Sequence, residues 1–153
     1  MSLAKFLNEM KRTFFLHAIS AHFSNGLIPV AVLYLLLALL EGDPFFEHTV
    51  LHLLVIVLMA IPLSFVSGIA DWKKKYNGAK APIFIKKIRL AILLCLLAAA
   101  ALSIRVADPG VMDGSGPLHW AYLLLLLAML PVVVLLGHYG GKLSAGQRQE
   151  KFR

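Results

Sequence analysis

Apolar residues in this chain gather into four long runs, 16–40, 48–70, 88–106 and 118–138, parted by short clusters of polar residues. As helices rising about 1.5 Å per residue, such runs cross about 30 Å of hydrocarbon. None alternates with the period of two that a membrane barrel strand needs, and a spanning helix satisfies its own backbone hydrogen bonds. The pattern therefore predicts four membrane helices. The connections are short, so consecutive helices should be antiparallel neighbours in an all-α up-down four-helix bundle, a single transmembrane domain over residues 1–153. Pro29, Pro62 and Pro131 fall inside the first, second and fourth runs, where each removes a backbone N–H and should bend its helix. Ahead of the first run, Phe6, Leu7, Met10 and Phe14 share one side of a helical wheel, with Lys5, Asn8, Glu9 and Arg12 largely on the other. That pattern predicts a short N-terminal interfacial helix.

Composition agrees with a bilayer as solvent. Of 153 residues 59% are hydrophobic and 15% charged, and the mean hydropathy is +0.80. The first apolar run is too long for a cleavable signal and no small-residue cleavage site follows it, so an uncleaved N-terminus is expected. The single Cys95 lies in mid-run and excludes an intrachain disulfide.

Charge adds an orientation. Three basic residues precede the first run, seven lie in or beside the "DWKKKYNGAKAPIFIKKIR" segment and four follow the last run, leaving only Arg105 at the opposite side. The other two connections carry Glu41, Asp43, Glu47, Asp108 and Asp113. Basic flanks stay on the cytoplasmic side, so both termini are expected there. Arg105 should pair with Glu47, Asp108 or another acid of that opposite side. The net charge of +7 is thus accounted for by topology, and with no recognition motif beside it a nucleic-acid partner is not expected.

The chemistry on offer is imidazole. On the first helix His22, Asn25 and Pro29 share one strip, and His17, Ser20 and Ser24 share another about a third of a turn away. Lipid cannot solvate both strips, so this half of the helix is expected to be enclosed by protein over much of its circumference, from the other three helices or from a second subunit. His48 and His52 lie one turn apart on the second helix, and His119 and His138 near opposite ends of the fourth. In "GHYGGK", Gly137 and Gly141 are spaced to let another backbone come close.

The segments "LHAISAHFSNGLIPVAVL", "SGIADW", "ALSIR" and "GHYGGKLSAG" resemble a family of small four-span bacterial membrane proteins catalogued as a domain of unknown function. That family shows His-Pro and His-Phe-Pro early in the first span, Gly and Asp-Trp closing the second, Arg ending the third and Gly-Gly ending the fourth. The matching positions are His17, His22, Gly68, Asp71, Trp72, Arg105, Gly140 and Gly141. Ala18 and Ser24 stand where the family tends to have proline, and the usual histidine before the third span is missing. The resemblance implies the four-span fold in a bacterial inner membrane and brings no activity with it.

Three functional readings stay open. One is an electron-transfer subunit holding a b-type haem between two imidazoles. Diagonal helices leave more room for a porphyrin than neighbours about 8–10 Å apart, so His52 with His119 is the first pair, His48 the substitute, and His22 with His138 the alternative toward the other end. The second is a cofactor-free scaffold or complex subunit, with a membrane-protein partner or a second copy. The third is a metal or proton pathway through the same imidazoles, with no ligand set assigned. An enzyme is not expected, since no activated nucleophile, phosphate loop or zinc motif is present, and Asp71 beside the lysine run suits a helix end.

Overall fold

A computed structural model describes the chain over residues 16–151. The interfacial helix expected before residue 16 lies outside these residues. Four helices follow one another: α1 (Leu16–Glu41), α2 (Pro44–Tyr76), α3 (Pro82–Ala107) and α4 (Pro117–Lys151). All four contain stretches long and apolar enough to span a bilayer. The helices are longer than the apolar runs at α2, α3 and α4. Pro82 starts α3 six residues before the apolar run, because a proline at the first helical position loses no hydrogen bond. All three interior prolines are exposed on the outside of the bundle and the helices continue through them.

The turns are set by local chemistry. Gly42, at φ 68°, and Asp43 alone join α1 to α2, and the Asp43 carboxylate accepts the Phe45 N–H at 2.9 Å as N-cap. Asn77 and Gly78 both take left-handed φ and end α2. There the Trp72 indole N–H donates to the Ala79 carbonyl at 2.9 Å, and the Trp72 and Tyr76 rings flank buried Phe84 at 5.9 and 5.0 Å. The Asp-Trp signature thus includes a clamp across the α2–α3 turn.

α1 packs mainly on α2 and α3 mainly on α4. The contacts of α2 with α3 and of α1 with α4 close the ring, leaving α1/α3 and α2/α4 as diagonals. The buried core runs through Ile28 and Leu35 of α1, Val50, Leu54 and Val57 of α2, Leu94, Ala98 and Ala101 of α3, and Tyr122, Leu126 and Met129 of α4. Large apolar side chains such as Met59, Leu96 and Val134 point outward, the surface of a bundle that meets lipid.

Candidate functional site

The two ends of the bundle carry opposite charge and are built differently. At the acidic end, where the α1–α2 turn and the α3–α4 loop lie, Arg105 of α3 and Glu47 of α2 are 7% and 6% exposed. The guanidinium grips the carboxylate with both arms, Nε to Oε1 and Nη2 to Oε2, the latter at 2.6 Å. The loop folds over them: Asp108 bonds the Gly110 N–H at 3.1 Å, and Val111 is buried. His119 Nδ1 donates to the Val111 carbonyl at 2.9 Å. Tyr122 is fully buried nearby, its hydroxyl close to Glu47 but without a well-formed hydrogen bond among the described residues.

The basic end is hollow. A cavity of about 650 Å³, within the range of small-molecule sites, is lined by residues of all four helices. Small residues widen it among the larger ones of its wall. On α4, Gly137 and Gly141 have nothing within 4 Å of where a Cβ would stand, so the spacing expected to admit a backbone instead leaves space. Ala21 of α1 and Ala91 of α3 line the cavity as well, and Ile61 and Leu94 line it where it meets the core.

Polar groups reach this chamber from each side. From α1 come His17, His22, Ser24 and Asn25. The His17 ring sits over Gly68, where a Cβ would come within 2.8 Å of it, and its Nδ1 donates to the Ser64 carbonyl at 2.9 Å. That contact gives the glycine of the second-span signature a steric reason. Buried Ser24 returns its hydroxyl to its own helix, at the Ala21 carbonyl (3.2 Å), and buried Ser20 does the same at the His17 carbonyl (3.2 Å). Pro29 removes the N–H that would bond the Asn25 carbonyl, and the Asn25 side chain is half-buried on the chamber wall. From α2 come Asp71, half-buried and itself engaged in a polar contact, and Trp72. From α3 comes Lys87, and Gly140 of α4 lies against its ammonium, 3.9 Å from the Nζ to a Cβ position.

The structure therefore brings together His17, His22, Asn25, Asp71, Trp72, Gly140 and Gly141, and places Arg105 apart from them with Glu47. Enclosure of α1 is narrower than expected: the His17, Ser20 and Ser24 strip continues into the buried seam, while His22 and Phe23 remain exposed, with His22 at the chamber rim. Of the histidines offered for haem, His22 alone lines the chamber. Helices α2 and α4 are diagonal, as expected, but His52 is exposed on the perimeter of α2, and His119 is half-buried and tied to Val111. His48 is exposed and bonds the Pro44 carbonyl of its own helix at 3.3 Å. His22 and His138 are both exposed, and His138 does not line the chamber. Among the described residues no three His, Cys, Asp or Glu side chains gather as a metal site.

Lys87 is the residue that sequence reading passed over, because it was counted with the orienting charges. The signal was present as spacing: Arg105, Ala101, Ala98, Leu94, Ala91, Lys87 and Phe84 step back along α3 by alternating fours and threes, one continuous helix face.

Against known proteins, the chain matches the family described as "Predicted membrane protein (DUF2231)" over residues 14–149. No curated protein and no solved structure matches it.

Proposed function

From the premise that the chain belongs to the DUF2231 family of predicted membrane proteins, we propose that it is a small-molecule-binding membrane subunit whose site is the chamber at the basic end. The observation that carries this reading is the chamber itself, a cavity of about 650 Å³ with polar groups from three helices and glycines from the fourth. A recess of this size between helices, apolar over most of its wall with a few convergent polar groups, has the form of a small-molecule site. A scaffold needs only outer surfaces and has no use for such a space. A proton or metal pathway needs polar groups from end to end, whereas here Ile28, Leu94, Leu126 and Met129 pack between the chamber and the acidic end. The histidine arrangement gives the electron-transfer reading no support, since the two chamber imidazoles sit on one helix, about 7.5 Å apart along its axis.

The role proposed is binding without covalent chemistry. The location proposed with it is the cytoplasmic side: by the positive-inside rule the chamber and both termini face the cytoplasm, in the bacterial inner membrane that the resemblance implies, and a periplasm-active reporter that works when fused after Arg153 would overturn this.

Thermal unfolding of the purified protein with a panel of neutral and charged short-chain amphipaths tests the site. An occupant should raise the midpoint of the wild type, as any ligand of the folded state does, and fail to do so in Ala21→Phe, which fills the chamber from α1. If no member of the panel, charged or neutral, moves the wild-type midpoint, the binding reading falls.

A further inference from the structure

The inward seam of α3 carries a cation near each end. Arg105 and Lys87 are eighteen residues apart, about 27 Å along the helix. A cation facing the interior of a membrane bundle is costly unless it has a counter-charge or water. For Arg105 the chain supplies the counter-charge, the buried Glu47 carboxylate. For Lys87 the described residues supply none: the side chain is half-buried against the chamber, and no ion pair or hydrogen bond joins it to any of them. Asp71 lines the same chamber but is engaged in its own interaction and makes no ion pair with Lys87. The neighbouring Lys86 turns away and lies over the Tyr139 ring at 5.7 Å.

Resting on the reading of the chamber as a ligand site, we infer that its occupant is an amphipath with one anionic head and a hydrocarbon body, the head held by Lys87. The head group position follows from Nζ, which lies against Gly140, where the absence of a side chain leaves the ammonium open to the chamber. The hydrocarbon follows from the walls, where Ile61, Phe65, Ile88 and Leu136 line the same space. An ammonium is a compact point charge with three rotatable donors, and it accepts carboxylate or phosphate without demanding the planar geometry that a guanidinium imposes. Such a molecule has two sources, an anionic phospholipid of the surrounding leaflet or a free single-chain acid.

The test uses the full-length protein in dodecyl maltoside with two matched pairs, phosphatidylglycerol against phosphatidylcholine and dodecanoate against dodecanol, with bound ligand read by native mass spectrometry. The anionic member of at least one pair should bind about tenfold more tightly, the factor expected of one charge-assisted hydrogen bond. Preference in the first pair assigns the leaflet lipid, preference in the second the free acid, and preference in both the shared chemistry. Lys87→Met should abolish the preference and Lys86→Met should keep it; Lys87→Gln, closer in shape, serves if the methionine variant does not fold. Absence of charge preference in both pairs, or its survival in the Lys87 variants, overturns the inference. If neutral and anionic members bind equally and Ala21→Phe blocks both, the chamber stands as a ligand site and only the anionic assignment is lost.

Discussion

Arg105 and Lys87 stand on the same face of the same helix, and what faces them differs. Around Arg105 the bundle is finished: a carboxylate from α2 neutralises the charge, a loop carrying Val111 caps it, and His119 holds the loop. Around Lys87 the bundle is left open, with Ala91, Gly137, Gly140 and Gly141 among the walls of the chamber. The difference separates a charge that serves stability from one available to a ligand. Both are cations at the ends of an apolar span, and composition alone does not tell them apart.

The largest effect should come from breaking the finished end. Glu47→Ala leaves a buried guanidinium without its partner and should cost about 3–5 kcal/mol of folding stability. A double replacement, Glu47→Leu with Arg105→Met, should recover most of that loss, because the desolvation of both charges disappears together. Reversible unfolding in mixed micelles measures both. A Glu47→Ala loss below about 1 kcal/mol would mean that the acidic end is held by its apolar packing instead.

Next in size is the contact between the first and second spans at the chamber. Gly68→Ala places a methyl group against the His17 ring, which must shift and so strains its bond to the Ser64 carbonyl. The cost should be about 1–3 kcal/mol, the usual range for overpacking. His17→Ala combined with Gly68→Ala should cost clearly less than the two single changes added, since one removes what the other strikes. Simple additivity would place the strain elsewhere.

The four spans were legible because hydrocarbon thickness fixes a minimum apolar length, and this chain meets it four times. Antiparallel order and the diagonal pairing of α2 with α4 followed from short connections. Helix ends were less legible, since hydropathy marks the part that meets hydrocarbon while Asp71 to Tyr76 and Pro82 to Lys87 continue the helices as charged turns. The direction in which each histidine points was hidden for a physical reason. Lipid and bundle core are equally apolar, so the residues around His52 carry no contrast to show which face is inward. Depth along the axis was readable for His52 and His119; the angle around it was not. On α1 the contrast did exist, because Ser20 and Ser24 mark the inward strip, and there the polar cluster read from sequence does line the chamber.

Smaller effects sharpen the same contrast. His119→Ala removes the bond to the Val111 carbonyl and should cost about 1 kcal/mol, whereas His52→Ala, on the exposed perimeter of α2, should stay within about 0.5 kcal/mol. A haem Soret band in the purified protein that vanished in His52→Ala would contradict the outward placement of that ring. Tyr122→Phe removes a buried hydroxyl without a well-formed hydrogen bond and should be neutral or slightly stabilising, by up to about 1 kcal/mol in thermal unfolding. A clear loss would show that the hydroxyl belongs to the Glu47–Arg105 pair.

The central claim, a chamber at one end and a packed plug at the other, is tested most directly by thiol labelling along the α3 seam. With Cys95→Ala as background, Ala91→Cys places a thiol on the chamber wall and Ala101→Cys places one in the buried core. A small water-soluble maleimide should label the first and not the second, and excess dodecanoate should protect the first. Equal labelling at both positions, or none at Ala91→Cys, would contradict the account.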